Sequence, residues 1–564
     1  MPTILENLLD QLDELKTTFG PQPALRIEQL LEKISRSKVD DAQSLIRLHE
    51  LLLFVRAYPH NSSVRKTADA GLRAIPSRVI QLEQEVDVTP LGHPEVSGIA
   101  GTSVTDTFSY QIMQWLRHQQ PTRLSIYWEW FENENRLADI WPRFIPLLEE
   151  DSLVEANVPY REWLRNARGQ QGELSWLLDR IDSLEPSETE KAATYNALQL
   201  YVEWRFPYRD SRTGSRLSVQ EYFYHDAPMI QRRDVKLREE LMKPAPKSER
   251  PEKLSVREGQ TAIDMARTAS TVRYRELFGF TNGDPKSVVR VHIGRGVDLF
   301  VIALRPESRL PLRAYHAAMI YKNGVPIGYF EGLSLFERME SGFNLYYTFR
   351  DGETAWLYAR TLHLMRHLTG VTAFTLDPYQ IGFENEEGIA SGAFWFYRKL
   401  GFRSTSPAIQ ELTESEEAKI QSRKNYRTSA SVLRRLAASP MILALDESKR
   451  GDWDRFQLRN IGFALQRLMA KRFSGDANRM RNHALAKLAE LPEVGQLKNK
   501  TDRLADLASA LLLISDISDW TDADLNLLGK IVSAKATADE SRYLRLMQQH
   551  SRLRAAWIKL GSET

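Results

Sequence analysis

The 564-residue chain contains no cysteine. Disulfides, thiolate zinc sites, cysteine-ligated iron–sulfur clusters and a cysteine nucleophile are thereby excluded. Long hydrophobic runs are also missing: no uninterrupted apolar stretch approaches the roughly 18 residues that cross a bilayer. The opening MPTILENLLDQLDEL lacks the basic and apolar regions of a secretory leader. No membrane span is expected, and the expected location is cytoplasmic, of bacterial type. Neither sign of charge dominates. Lys plus Arg number 76 against 74 Asp plus Glu, so a net charge of +2 provides no global field for nucleic acid, anionic membrane or an acidic substrate. P-loop, H-E-x-x-H and G-x-S-x-G motifs are absent, as is any fixed-period repeat, and the 11 histidines read as scattered without ligand spacing. No metal is expected.

What is present is ordinary globular material, 42% hydrophobic and 27% charged, enough for about three to four structural units. The pattern predicts an α+β chain with three regions: an α-helical region over 1–250, an α/β domain over 258–407 and an α-helical domain over 408–564. Thr3 and Glu6 form a T-x-x-E capping box ahead of Leu5, Leu8, Leu9, Leu12 and Leu15, with Gly20 as an αL stop. Helical spacing recurs at 24–35, 42–56, 107–118, 133–149, 172–184 and 188–205. KPAPKSERPEKLSVR (243–257) reads as an exposed linker. Beyond it, β-rich runs fall at 298–304, 316–322, 325–332, 343–349 and 371–376, and Asn323-Gly324 between two of them predicts a type I′ hairpin turn. Helices are expected at 353–368 and 386–400, making a strand–helix–strand crossover in a mixed sheet. Helical spacing then returns to the end, with a second capping box at Thr537 and Glu540 and an apolar stripe of Leu544, Met547, Leu553, Trp557 and Leu560.

A strand running into Arg350-Asp351-Gly352-Glu353-Thr354-Ala355 and then a helix gathers free N–H groups and a positive dipole end at one spot, which favours an anion. The alternative is an ordinary turn whose Asp351 and Thr354 cap the helix. The second informative segment is Phe396-Tyr397-Arg398-Lys399-Leu400-Gly401-Phe402. It resembles the FY-x-K-x-GF signature closing the last helix of the GCN5-related N-acetyltransferase (GNAT) superfamily. The NGVPIGYFEG hairpin is similar to one of that family, and the likeness spans about residues 316–403.

The resemblance implies that Arg350, Asp351, Gly352, Glu353, Thr354 and Ala355 receive the pyrophosphate of an acyl-CoA donor. Parted strands would pair with its pantetheine arm, and Tyr397 would protonate the leaving thiolate. A phenol suits that role because it is protonated at neutral pH; otherwise Tyr397 packs with Phe394, Trp395 and Phe396. Glu331 is the preferred base for an amine acceptor, a small molecule or peptide, with Glu340 and Asp377 behind it. Tyr379 and Gln380 lie after a strand's carboxyl end, where α/β ligands bind, and are expected substrate contacts. The chain departs from the family's turn signature. The family's helix asparagine falls on Ala390, with Asn385 five residues earlier. Only about eleven residues separate the 298–304 run from the hairpin strands, too few for two acceptor-gripping helices, so that side is expected to be rebuilt by the helix near 261–278 or by flanking regions. The expected function is an N-acyltransferase of GNAT type. The alternative is a non-catalytic scaffold around a degenerate core. Arg423, Lys424, Arg427, Arg434, Arg435, Lys471, Arg472, Arg479 and Arg481 form a basic stripe with Tyr426 and Phe473, but acidic neighbours dilute it, so nucleic acid is the lesser expectation.

Overall fold

The computed structural model describes residues 3–131, 135–145, 160–185, 187–492, 494, 504–537 and 539–563. It is α+β, with a large mixed sheet and helices around it.

Four helices lead the chain: α1 (Ile4–Leu15), α2 (Pro21–Arg36), α3 (Ala42–Ala57) and α4 (Ser62–Glu83). The α1 capping box is present, with Glu6 N–H donating to Thr3 Oγ1 at 3.1 Å and Thr3 N–H donating to the Glu6 carboxylate at 2.6 Å. Gly20 does not stop this helix. The cap of α1 is Lys16 in αR conformation, and Gly20, at φ +131°, precedes the Pro21 start of α2. Apolar residues surround α3, which is buried nearly all round, as a helix enclosed by others and by the sheet must be. The helix expected over 188–205 ends at Leu198. Val202–Arg205 instead form β3, in a small antiparallel sheet with β1 (Ser103–Asp106) and β2 (Leu124–Ile126). Burial of Val202 and Trp204 at alternate positions is a strand's period. Of the helix expected at 133–149, residues 135–145 hold one α-helical turn, Asn135–Ala138, and a separate 3₁₀ turn, Trp141–Arg143, rather than a continuous helix; the remainder lies outside the described residues.

The central sheet has nine strands: β4 (Glu252–Lys253), β5 (Val289–His292), β6 (Val297–Ala303), β7 (Ala314–Lys322), β8 (Val325–Leu335), β9 (Arg338–Leu345), β10 (Ala373–Leu376), β11 (Arg403–Ser404) and β12 (Met441–Ala444). Their order is β11-β12-β10-β9-β8-β7-β6-β5-β4, antiparallel throughout except between β9 and β10. Part of the expected linker is therefore sheet edge, through Glu252 and Lys253, and α5 (Val256–Thr271) follows at once. The β7–β8 hairpin turns on Asn323 and Gly324 at φ +49° and +79°, as the dipeptide requires. A Cβ on Gly324 would sit 2.4 Å from the Leu217 carbonyl oxygen. Gly324→Ala is therefore expected to lower unfolding stability by at least about 1 kcal/mol in urea titration.

After β9 come α6 (Thr354–Thr369), β10, then α7 (Glu386–Ser391) and α8 (Ala393–Lys399). The last two were expected as one helix. Gly392, at φ +69°, breaks it. β9 pairs with β8 from Arg338 through Leu345, but with β10 only from Arg338 to Glu340. Beyond Glu340 the two strands part and a cleft opens at their carboxyl ends.

The described residues from Pro407 to Ser562 are mostly helical, with β12 inserted into the sheet. No capping box forms at Thr537 and Glu540. Thr537 donates to the Ser533 carbonyl within its own helix, while buried Glu540 accepts from Lys535 Nζ at 2.7 Å and from the Tyr315 N–H at 3.2 Å. Asp539 caps instead. Leu544, Met547, Leu553 and Trp557 are buried as expected. One apolar core runs from Leu5 of α1 to Leu443 of β12, and a second joins the C-terminal helices to Ala314, Leu335 and Phe336 of the sheet.

Candidate active site

The parted strands open into a cavity of about 1240 Å³. Its wall includes Glu331, Arg350, Asp351, Gly352, Thr354, Ala355, Tyr379, Gln380 and Tyr397, nine of the ten residues singled out from the sequence. Segments 229–232 and 342–345, Asp13, Glu14, Lys16 and Thr17 at the end of α1 and just after it, Arg275 and Asn385 complete much of the rest.

Tyr397, on α8, is buried against Tyr358 and Phe402, with ring centroids 5.4 and 5.9 Å away. Gln380 Nε2 donates to Tyr397 Oη and to the Phe343 carbonyl, both at 2.9 Å. The backbone carbonyl can only accept, which fixes the amide with its NH2 on the phenol. The phenolic oxygen's acceptor side is thus taken, and its own proton is left to donate into the cavity. Burial, opposed by the Gln380 hydrogen bond, pushes this phenol up to about 12. Gln380 therefore orients Tyr397, a role that periodicity could not reveal. Tyr379 is exposed, its N–H donating to Asp377 Oδ1 at 2.8 Å.

Glu331 projects from β8. Burial raises its carboxyl above the usual range, opposed by a hydrogen bond donated by the Tyr315 hydroxyl. The two reserve bases are accounted for otherwise. Asp377 caps its turn, and Glu340 lies 3.7 and 3.8 Å from Arg313 and Arg338. Beside Glu331, Tyr329 Oη accepts from Arg275 at 3.2 Å. Arg275 follows α5, which ends at Thr271, so what reaches this side of the cavity is the segment after the helix and not the helix expected near 261–278.

The edge of β9 facing the gap is set by alternation. Tyr346 N–H bonds back to Ile327 of β8, whereas the Phe343 and Leu345 carbonyls meet Gln380 and Arg350 side chains on the gap side. Antiparallel geometry puts the Phe343 and Leu345 N–H groups on that same side.

The turn at 350–355 differs from its expected form. Glu353 is buried away from the cavity, in an ion pair with Arg295 at 2.6 Å, and accepts the Ile230 N–H at 3.0 Å. It also faces the Lys322 ammonium, which burial drags down to about 7 while Glu353 pulls it up. Glu353 is thus a counter-ion of the core. Gly352 is needed because a Cβ there would lie 2.5 Å from the hydroxyl of Tyr58, the residue that caps α3, so the glycine serves packing against that tyrosine on its Cβ side. Arg350 pairs with Glu387, and Asp351 with Lys16 at 2.7 Å. Thr354 Oγ1 donates to the Arg350 carbonyl at 3.0 Å. Among the described residues, Arg232 and Arg275 are the cavity-lining arginines without a carboxylate at ion-pair distance. Ala390, where the family asparagine was expected, is exposed. Asn385 lines the cavity and caps α7 through the Gly388 N–H at 3.2 Å.

A buried network ties this turn to the N-terminal helices. Glu50 of α3 accepts from Arg212 Nη2 at 2.5 Å and from the hydroxyl of Thr348, two residues before Arg350, while His49 Nδ1 lies 3.2 Å from it. Burial alone would raise the Glu50 carboxyl; Arg212, His49 and Thr348 overcome it and hold the group at about 2.

Comparison with protein-family models, characterised proteins and solved structures finds no match to this chain.

Proposed function

We propose that the cavity is the active site of a GNAT-type N-acyltransferase that moves an acyl group from acyl-CoA to an amine. The observation that carries this reading is the opening of one cavity onto a buried tyrosine with a free proton, a carboxylate raised by burial, and the unpaired edge of β9. The element order supports it: a hairpin, a strand, a helix N-terminus, a parallel strand parted from the first, and the helix bearing Tyr397.

In this reading the amine gives a proton to Glu331, and its lone pair attacks the thioester carbonyl carbon. The C–N bond forms as the C–S bond breaks, and Tyr397 donates its proton to the departing thiolate. Raising the Glu331 carboxyl brings its basicity nearer to neutral pH. The pantetheine amides would bond the β9 edge. The N–H groups at the start of α6 meet the pyrophosphate, with Arg232 as the nearby unpaired cation. The reading predicts that isothermal titration of the full chain with acetyl-CoA, longer acyl-CoAs and free CoA gives micromolar binding. Thr354→Trp, which fills the turn, and Arg232→Glu are each expected to weaken it at least tenfold. Gly352 is unsuited to this test, since substitution there strikes Tyr58.

A second reading, a non-catalytic scaffold, draws on the ion pairs Arg350–Glu387 and Lys16–Asp351, which neutralise the turn's own charges. Absence of binding at millimolar acyl-CoA would overturn the transferase and leave the scaffold.

A further inference from the structure

On the body of α6, away from the cavity, His363 and His367 stand four residues apart and so share one helix face. Their Nε2 atoms are 3.1 Å apart, and each lies 3.1 Å from the Lys243 carbonyl oxygen, in the stretch after the helix Leu237–Met242. His363 is buried and His367 half-buried. The three polar atoms form a triangle with equal edges.

Hydrogen bonds between neutral imidazoles cannot satisfy that triangle. If both Nε2 atoms carry hydrogen, the two donors face each other. If only one does, the other nitrogen's lone pair faces the carbonyl lone pairs. One edge is repulsive in either tautomer, whereas a cation at the centre uses a lone pair from every corner.

We propose that His363, His367 and the Lys243 carbonyl form a binding site for a divalent first-row transition cation of the zinc type, completed by water. With metal–nitrogen bonds of about 2.0–2.1 Å, edges of 3.1 Å subtend about 95–100° at the metal, between octahedral and tetrahedral values. Two imidazoles and one carbonyl select zinc, nickel, cobalt or copper over magnesium or calcium. Arg360, a like charge one turn away, is itself paired with Glu240 and Glu249. The next carbonyls along the helix, of His367 and Leu368, accept from Arg545 at 2.8 and 3.0 Å. A bound cation would therefore join α6 to the segment at Lys243, beside the point where Arg545 already ties the end of α6 to the C-terminal helices.

The test is zinc titration of the chelator-stripped full chain against a chromophoric competitor, with thermal melting alongside. The wild type is expected to take up one equivalent at micromolar affinity and to melt higher with zinc. His367→Ala, at a half-buried position that tolerates truncation, is expected to weaken uptake at least tenfold and abolish the shift. His363→Gln is expected to do the same while keeping a polar side chain at the buried corner. No uptake at millimolar zinc, or uptake unchanged in His367→Ala, would overturn the site.

Discussion

Tyr397→Phe is expected to lower kcat by roughly 10²–10⁴-fold, the usual contribution of a positioned general acid, while acyl-CoA affinity stays within about twofold. The basis is hydrogen-bond accounting: Gln380 occupies the acceptor side of the phenol at 2.9 Å, so the proton has only the cavity to serve. Thiol release is a clean readout, because a chain without cysteine adds no background to a thiol reagent. The pH profile should separate chemistry from packing. Glu331 must be ionised to accept a proton, so kcat/KM falls as pH drops through its raised pKa, at a higher pH than for an ordinary carboxylate. Glu331→Gln should remove that limb. Tyr397, held at about 12, keeps its proton across neutral and mildly alkaline pH. A Tyr397→Phe rate within twofold of wild type would defeat the acid role.

Glu50→Gln is expected to cost about 3–5 kcal/mol of stability, because it strands the buried Arg212 guanidinium without its counter-charge. The effect carries a pH signature with a definite sign. A carboxyl depressed from 4.5 to about 2 in the folded protein contributes fully above pH 4.5, and this share is lost as pH falls towards 2. That share is about 3 kcal/mol, at 1.36 kcal/mol per pKa unit. Denaturation curves of wild type and variant should therefore converge between pH 4.5 and 2. Equal stability at pH 7 would show that the network stabilises nothing.

The central sheet was legible where local chemistry decides. Asn323-Gly324, the β-rich run at 316–322 within β7 and the capping box at Thr3 rest on neighbours within a few residues, and all three formed. The convergence of Glu331, Tyr397 and the 350–355 turn could be anticipated from the order of elements around the β9–β10 crossover. Glu353 was misplaced because its destination depends on Arg295 and Ile230, about 58 and 123 residues earlier. Arg275, Arg232 and the α1 residues on the cavity wall have no local signature at all. The pair His363 and His367 was overlooked although its spacing of four is visible; what distinguishes it is the Lys243 carbonyl, supplied from 120 residues away. Thr537 and Glu540 show the converse. A valid capping spacing lost to a stronger partner, the buried Lys535 ammonium.

The Lys16–Asp351 ion pair has a consequence for the time course of synthesis. The first helix emerges from the ribosome about 335 residues before the turn that it contacts. At about 5–20 residues per second, it waits roughly 20–70 seconds for that partner. Throughout that interval Leu5, Leu9 and Leu12 have only the other N-terminal helices to cover them. The cavity wall, which spans Asp13 to Tyr397, therefore stays incomplete until more than half of the chain has been translated.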